Sequence, residues 1–383
     1  MIMLDYIFLK WAWWLGIGMV FVMYGMTAGY DLGVTLYLPF IKDPLDQRVA
    51  LNASGFTWDG NQSWIVFAGG GLFVVWPVVY SVALSYFYLP LALMIVAFFL
   101  RPTGYDYRGK VNSARWRRYW DWGLWLSALI PTFIFGYVLG AVLQGIPVHF
   151  EAFTHRILFD SSSHSLTSFN VLCGFASIAM VLMHGASFLF RRAVGELAQW
   201  AQICHRWSAL LFAIILCLLL GYLAFKVHGY RLLVFDQMGK LPISQSTYII
   251  DGVGEWITSY EVHPWKFFAP FLLIISWVAM VILNYLDKPR LCFYASALTV
   301  MWLIVTVGVT LFPFLIPSSA FATHSVTIWN GVANHYALNI MFILATILMI
   351  FTFVYKLLTF SVFWGGRETL SREDVQNNEK IFY

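Results

Sequence analysis

Nine stretches of this chain run apolar for about twenty residues or more, and the charges gather between them. They predict helices over 11–38, 60–79, 81–100, 119–143, 166–190, 207–227, 266–285, 291–314 and 337–363. A helix rises about 1.5 Å per residue, so about 20 apolar residues cross a bilayer. The run from Trp64 to Leu100 contains no charge and is too long for one crossing. Gly69-Gly70-Gly71 and Trp76-Pro77 interrupt it. Proline biases the residue before it away from helix, so two helices joined by a tight turn near Tyr80-Ser81 are predicted. Gly69–Gly71 lies mid-membrane without the strand, Lys and Ser/Thr context of a phosphate loop, and reads as a close helix contact. The predicted fold class is all-α: a polytopic membrane domain over 1–366 with an outer loop at 228–265, and a short charged tail over 367–383.

Composition agrees with that class. The chain of 383 residues is 60% hydrophobic and 11% charged, with mean hydropathy +0.73, far from a soluble domain. Tryptophans cluster near segment ends, as Trp11, Trp13 and Trp14 and as Trp116, Trp120, Trp122 and Trp125 do, the pattern of an interfacial aromatic belt. Cys173, Cys204, Cys217 and Cys292 have no CxxC spacing and read as small apolar fillers. The first apolar run is too long for a signal-peptide core and is expected to stay uncleaved.

Charge distribution orients the bundle. With nine helices, 17 of the 23 Lys and Arg residues fall in the loops after spans 1, 3, 5 and 7 or toward the C-terminus. The other side keeps Lys10, Arg156, Lys226, Arg231, Lys240 and Lys266. The positive-inside rule makes the 17-residue side cytoplasmic, with the N-terminus outside and the C-terminus inside. Eight helices would split the two basic loops after spans 1 and 3 onto opposite faces.

Two acids stand out against this apolar background. Asp31 lies within the first span, about 10 Å from its cytoplasmic end at 1.5 Å per residue. A carboxylate in hydrocarbon costs roughly 2.5–3.5 kcal/mol, so an intramembrane acid is first a candidate for proton or ion handling. Gly25, Gly29 and Gly33 form a small-residue ladder for helix approach, whereas Tyr24, Thr27, Asp31 and Thr35 fall on another stripe. Asp59 opens the second span, and Gln62 three residues later makes a capping-box pattern. Capping alone would explain Asp59; capping combined with proton uptake is the alternative. Asp106 and Asp121 lie on the same side among arginines, where a structural ion pair is the default. His184 is the one histidine clearly inside a predicted helix, with His205, His263, His324 and His335 flanking helices. One deep histidine does not supply the facing pair that a bis-histidine haem needs. The residues alone make a proton-handling membrane subunit.

The chain resembles subunit II of the cytochrome bd-type quinol oxidases over essentially its full length. The words that carry the resemblance are Gly29-Tyr30-Asp31-Leu32-Gly33, Trp58-Asp59-Gly60-Asn61-Gln62, Arg101-Pro102-Thr103-Gly104-Tyr105-Asp106-Tyr107-Arg108, Arg115-Trp116 and Trp120-Asp121-Trp122-Gly123. Leu143-Gln144-Gly145-Ile146-Pro147 and Leu311-Phe312-Pro313-Phe314-Leu315-Ile316-Pro317-Ser318-Ser319 follow. The resemblance implies a complex that oxidises ubiquinol or menaquinol and reduces oxygen to water in a prokaryotic cytoplasmic (inner) membrane. It implies two b-type haems and one haem d, or a third b, all carried by subunit I. Subunit II is then a haem-free partner that stabilises subunit I and offers a cytoplasmic proton path, with Asp31 and Asp59 on it and Asp121 and Asp106 near its mouth. A small single-helix accessory subunit, membrane lipid and quinone are the further partners; nucleic acid is not. The family usually carries an acid where this chain has Ala28. Two rival readings are a secondary transporter, with a midplane site at the broken helices around Gly69–Gly71 and Pro77, and a stand-alone haem membrane anchor.

Overall fold

The structure, a computed structural model, describes residues 3–151, 156–160, 166–234, 248–364 and 369–377. His155, His164, Lys240, Arg367 and Lys380 lie outside them. Helix α1 (Tyr6–Tyr37) starts behind an N-cap, where the Asp5 carboxylate accepts from the Phe8 N–H. At 32 residues it begins five residues before the apolar pattern suggests. Helix α2 (Pro44–Gly55) packs across its far end, capped by Asp43 accepting from the Leu45 N–H.

The charge-free run breaks twice, at neither Tyr80 nor Ser81. Helix α3 (Trp58–Val75) passes unbroken through Gly69–Gly71. It ends at Trp76, where Pro77 opens α4 (Pro77–Tyr86) at an angle of 119°. Proline suits a first turn because its missing N–H would have no partner there. A second break at Phe87 opens α5 (Tyr88–Tyr107), with Pro90 again in the first turn. Trp76 and Phe87 are each 1% exposed, so a buried aromatic side chain anchors each break. Tyr80 and Ser81 therefore lie inside a helix. The glycine run is also less than a helix contact: Gly71 lies against Ile17, but Gly69 and Gly70 face open space.

The remaining long helices are α6 (Ala114–Gln144), α7 (Ser168–Arg192) and α8 (Glu196–Phe225). After α9 (Glu255–Val262) come α10 (Phe268–Tyr285), α11 (Pro289–Leu311) and α12 (His335–Trp364). Among the described residues, eight helices are long and apolar enough to cross a membrane, and the bent pair α3–α4 is a ninth if it counts as one span. Helix α1 meets α7 where Gly33 faces Gly185, and a Cβ on either would run into the other's backbone. The small-residue ladder therefore performs its expected part.

The two ends of the bundle differ. One end holds three antiparallel ladders, of two strands each, that the apolar pattern did not predict. They are β1 (Val148–Phe150) with β2 (Ile157–Phe159), β3 (His228–Val234) with β4 (Tyr248–Val253), and β5 (Phe314–Ile316) with β6 (Val326–Thr327). The β3–β4 hairpin and α9 form an ordered cap within the predicted 228–265 loop. Trp256 pins that cap by donating its indole N–H to the Leu143 carbonyl at 3.0 Å. The opposite end holds α2 and the short α13 (Arg372–Asn377). Here residues 369–377 are docked rather than solvated. The Leu370 N–H donates to the Arg192 carbonyl at 2.7 Å, and Leu370 and Val375 are buried in the core. Arg372 forks onto Asp46 at 2.8 Å through two nitrogens and reaches Asp43 at 3.0 Å. The Asp46 carboxylate holds this guanidinium above its usual range.

Candidate functional site

Asp31 is fully buried, and it points away from the glycine face of α1. Its Oδ1 accepts from Arg101 Nη2 at 2.5 Å, and its Oδ2 accepts from Asn61 Nδ2 at 2.8 Å. Three helices thus meet at one carboxylate: α1 supplies the acid, α5 the guanidinium and α3 the amide. Arg101 is itself fully buried and lies 5.7 Å from the Trp58 ring, which stacks on Tyr105. A buried ion pair of this kind requires good geometry and further hydrogen bonds to offset the desolvation of both charges. Asn61 supplies one to the carboxylate, while Nε and Nη1 of Arg101 are buried without a hydrogen-bond partner among the described residues. The Asn61 amide also lies within hydrogen-bonding distance of the Thr27 carbonyl, at 3.0 Å, and of the Tyr30 hydroxyl, at 3.3 Å. Thr27 and Thr35 donate their hydroxyls to the Met23 and Asp31 carbonyls of their own helix.

A cleft of about 580 Å³ opens beside this pair. Asp59, Asn61, Gln62 and Ser63 of α3 line it with Tyr355 and Lys356 of α12. Asp59 is exposed in the first turn of α3. It is not the cap: Thr57 holds the N-cap position, no side chain caps the helix, and the Gln62 amide nitrogen is buried without a partner. The capping-box pattern therefore does not form, because α3 begins two residues earlier than that pattern requires. Asp59 still complements the positive end of the helix dipole.

The other two acids separate. Asp121 is buried and bonded to Arg108 Nε at 2.5 Å, while Arg108 also donates to Gln47 Oε1 at 3.0 Å. This is the structural pair expected for it. It lines a smaller cleft of about 300 Å³ with Lys42 and Arg118. Asp106 is exposed and takes part in neither pair. Three site residues were missed in the sequence. Arg101 falls just beyond its apolar run, Asn61 stands out only within the word Trp58–Gln62, and Lys356 adds only to the basic residues toward the C-terminus. Lys356 had a visible signal, since it is a cation well inside the last apolar run.

Among the described residues two histidines are deeply buried, His184 and His205. His205 lies inside α8, because that helix starts at Glu196 rather than near 207. Its early turns are polar on one side and do not read as membrane helix. His184 uses both ring nitrogens within the chain, toward the Met26 carbonyl and the Ser296 hydroxyl at 2.9 Å each. His205 Nε2 faces Cys292 Sγ at 3.8 Å. These two rings do not fit a bis-histidine haem site. Among the described residues, no group of three or more His, Cys, Asp or Glu side chains could hold a metal ion.

Comparison with known proteins decides the family. The sequence profile of cytochrome bd terminal oxidase subunit II matches residues 9–363. The chain belongs to this family. It is 30% identical over 384 aligned residues to cytochrome bd-I ubiquinol oxidase subunit 2 of Escherichia coli, covering 100% of both chains. It is 31% identical to a probable cytochrome oxidase subunit 2 of Haemophilus influenzae, over 95% of this chain and 96% of that one. The bd oxidase of Geobacillus thermodenitrificans shares the fold, with a TM-score of 0.65 at 16% identity over 94% of this chain and 99% of that chain. As a bd-type subunit II, the chain is part of a quinol oxidase complex in the inner membrane. Membership also displaces the transporter and stand-alone anchor readings.

Proposed function

We propose that this chain is the haem-free partner of a haem-bearing subunit I, and that it carries protons from the cytoplasm toward that partner. The observation behind this is Asn61, which lines the open cleft and also donates to the fully buried Asp31 at 2.8 Å. Asp59 stands at the mouth of the cleft and Asp31 one amide beyond it. An acid at each position can store a proton; the amide between them orients the inner carboxylate. Arg101 fixes that carboxylate against α5 and balances its charge when it is ionised. Asp121 and Asp106 are the outlying acids of the proposed path: Asp121 lines the separate smaller cleft as the structural member of its arginine pair, and Asp106 is exposed. The basic residues gathered at the α2 and α13 end support a cytoplasmic assignment for that end and an outer N-terminus.

The complex is proposed to oxidise ubiquinol, the quinol named for the Escherichia coli relative, or menaquinol, and to reduce oxygen to water. Two b-type haems and one haem d or third b belong to subunit I. A small single-helix subunit, lipid and quinone complete the proposed partners.

The test is Asp31→Asn in the assembled complex. Asparagine keeps the shape and cannot store a proton. Positioned acid–base groups contribute roughly a hundredfold or more, so oxygen reduction should fall by about that factor while the haem spectrum is retained. Asp59→Asn should slow turnover less, because water in the cleft can still reach Asn61. Normal turnover by an assembled Asp31→Asn complex would end this reading and move proton uptake to the partner.

A further inference from the structure

The path above leaves unused the one charge buried in α12. Lys356 lies inside α12 and is 7% exposed. Its Nζ donates to the Gly60 carbonyl and reaches Asn61 Oδ1 at 3.4 Å, and it lies 5.1 Å from the centre of the Trp64 ring. Among the described residues no carboxylate touches it. Asn61 nevertheless passes directly from Lys356 to Asp31: its oxygen faces the ammonium and its nitrogen faces the carboxylate.

A plain tie between α12 and α3 would need only a donor for the Gly60 carbonyl. A glutamine could provide that without placing a cation in hydrocarbon, which costs roughly 2.5–3.5 kcal/mol. The charge therefore requires its own explanation. The charged groups that face Lys356 are Asp59 from α3 and Asp31 from α1, with Arg101 from α5 behind Asp31. Tyr355 of its own helix shares the cleft.

We propose that Lys356 is a positioning residue for proton transfer, acting through Asn61 on the Asp31–Arg101 pair. Its first effect is orientation. With the ammonium on Oδ1, the Asn61 amide cannot flip and bring its oxygen against the carboxylate. Its second effect is charge balance. When Asp31 takes up a proton, Arg101 loses its carboxylate partner and Lys356 keeps, among the described residues, only the exposed Asp59 as a facing negative charge. The repulsion of the two cations favours renewed ionisation: the O–H bond of Asp31 breaks, its electron pair stays on the carboxylate, and the proton passes to a water or basic group toward the partner subunit. Without Lys356, Asp31 holds its proton longer.

This inference rests on the Asp31 path. The experiment measures oxygen reduction against pH by the complete complex carrying Lys356→Gln, Lys356→Met or Lys356→Arg. Glutamine and methionine should assemble with a full haem spectrum and lose about tenfold in turnover, which corresponds to about 1.4 kcal/mol of barrier. The alkaline limb of their pH profile should move up by about one unit, because removing a positive charge that stands one amide from Asp31 favours its protonated form. Arginine should restore most of the turnover. Adding Lys356→Gln to Asp31→Asn should cost nothing further. Wild-type turnover and pH profile in both Gln and Met variants, or additive losses in the double variant, would overturn the role of Lys356. If those variants are normal while Asp31→Asn is slow, Lys356 alone is excluded; if Asp31→Asn is itself normal, the path fails and Lys356 with it.

Discussion

Buried cations at the two ends of the bundle are held in different ways, although the hairpin end also carries a half-buried Arg231–Glu255 pair at 3.0 Å. At the hairpin end, Lys10 donates to the Trp329 carbonyl at 2.7 Å and sits 4.4 Å from the Tyr6 ring centre. Lys266 donates to the Ser259 hydroxyl at 2.8 Å and the Phe312 carbonyl at 3.1 Å. At the α2 end, Arg101 and Arg108 face carboxylates at 2.5 Å. Neutral oxygens hold the Lys266 ammonium but cannot accept its proton, so Lys266 serves as a tie between segments. A carboxylate beside a cleft can change charge. Lys356 combines the two patterns, bonded to neutral oxygens like the first group and coupled to an acid like the second.

The largest expected effect comes from breaking the inner pair. Arg101→Met leaves Asp31 buried and uncompensated, a loss of about 3–5 kcal/mol, and the complex should be recovered in low yield or not at all. The paired variant Arg101→Met with Asp31→Asn removes both charges. Replacing a whole buried pair by uncharged groups is often neutral for stability, so thermal stability should return toward wild type while oxygen reduction stays low. Recovery of both together would make the pair purely structural, and the contrast between the ends would collapse.

Lys266→Met tests the other end. Losing this ammonium leaves the Phe312 carbonyl and Ser259 hydroxyl short of a partner, at about 1–3 kcal/mol. Melting of the complex should occur at lower temperature, with turnover per assembled complex unchanged. A drop in turnover comparable to that of Asp31→Asn would show that the hairpin end also takes part in proton handling.

The contrast was only half legible in the sequence. Apolar runs located the long helices, and the cost of a carboxylate in hydrocarbon singled out Asp31. Spacing along α1 separated the acid from the glycine face, because both follow one helical period. Partners across helices were not legible. Arg101 follows the last apolar residue of its run, and nothing local says that α5 continues to Tyr107 and turns the guanidinium inward. The breaks at Trp76 and Phe87 depend on where two aromatic side chains find room in the core, which a charge-free run does not encode. The apolar run places the start of α8 only near 207, because Glu196, Gln199, Gln202 and Arg206 read as loop, although helix geometry gives them a common polar side. Leu370 and Val375 are too isolated in a charged tail to announce that they reach the core.

The smallest expected effect lies at the hairpin end and gives the comparison a pH sign. His324 Nδ1 accepts the Phe150 N–H at 3.1 Å, which ties β1 to the segment between β5 and β6. Burial, and then nearby His149, hold the His324 imidazole below its usual range. A protonated ring has no acceptor nitrogen, so folding disfavours its charged form. Stability from this contact is therefore present above the ordinary imidazole value of about 6.5 and is lost as pH falls below it toward the depressed folded value. One hydrogen bond of this type contributes about 1 kcal/mol or less. Thermal melting of the complex should consequently fall slightly more between about pH 8 and pH 5 than melting of a His324→Leu complex, which lacks the contact at every pH. An equal fall in both would remove His324 from the account. A turnover profile that followed His324 rather than Asp31 and Lys356 would break the comparison itself, because acid on the hairpin side would then be controlling a reaction assigned to protons from the other.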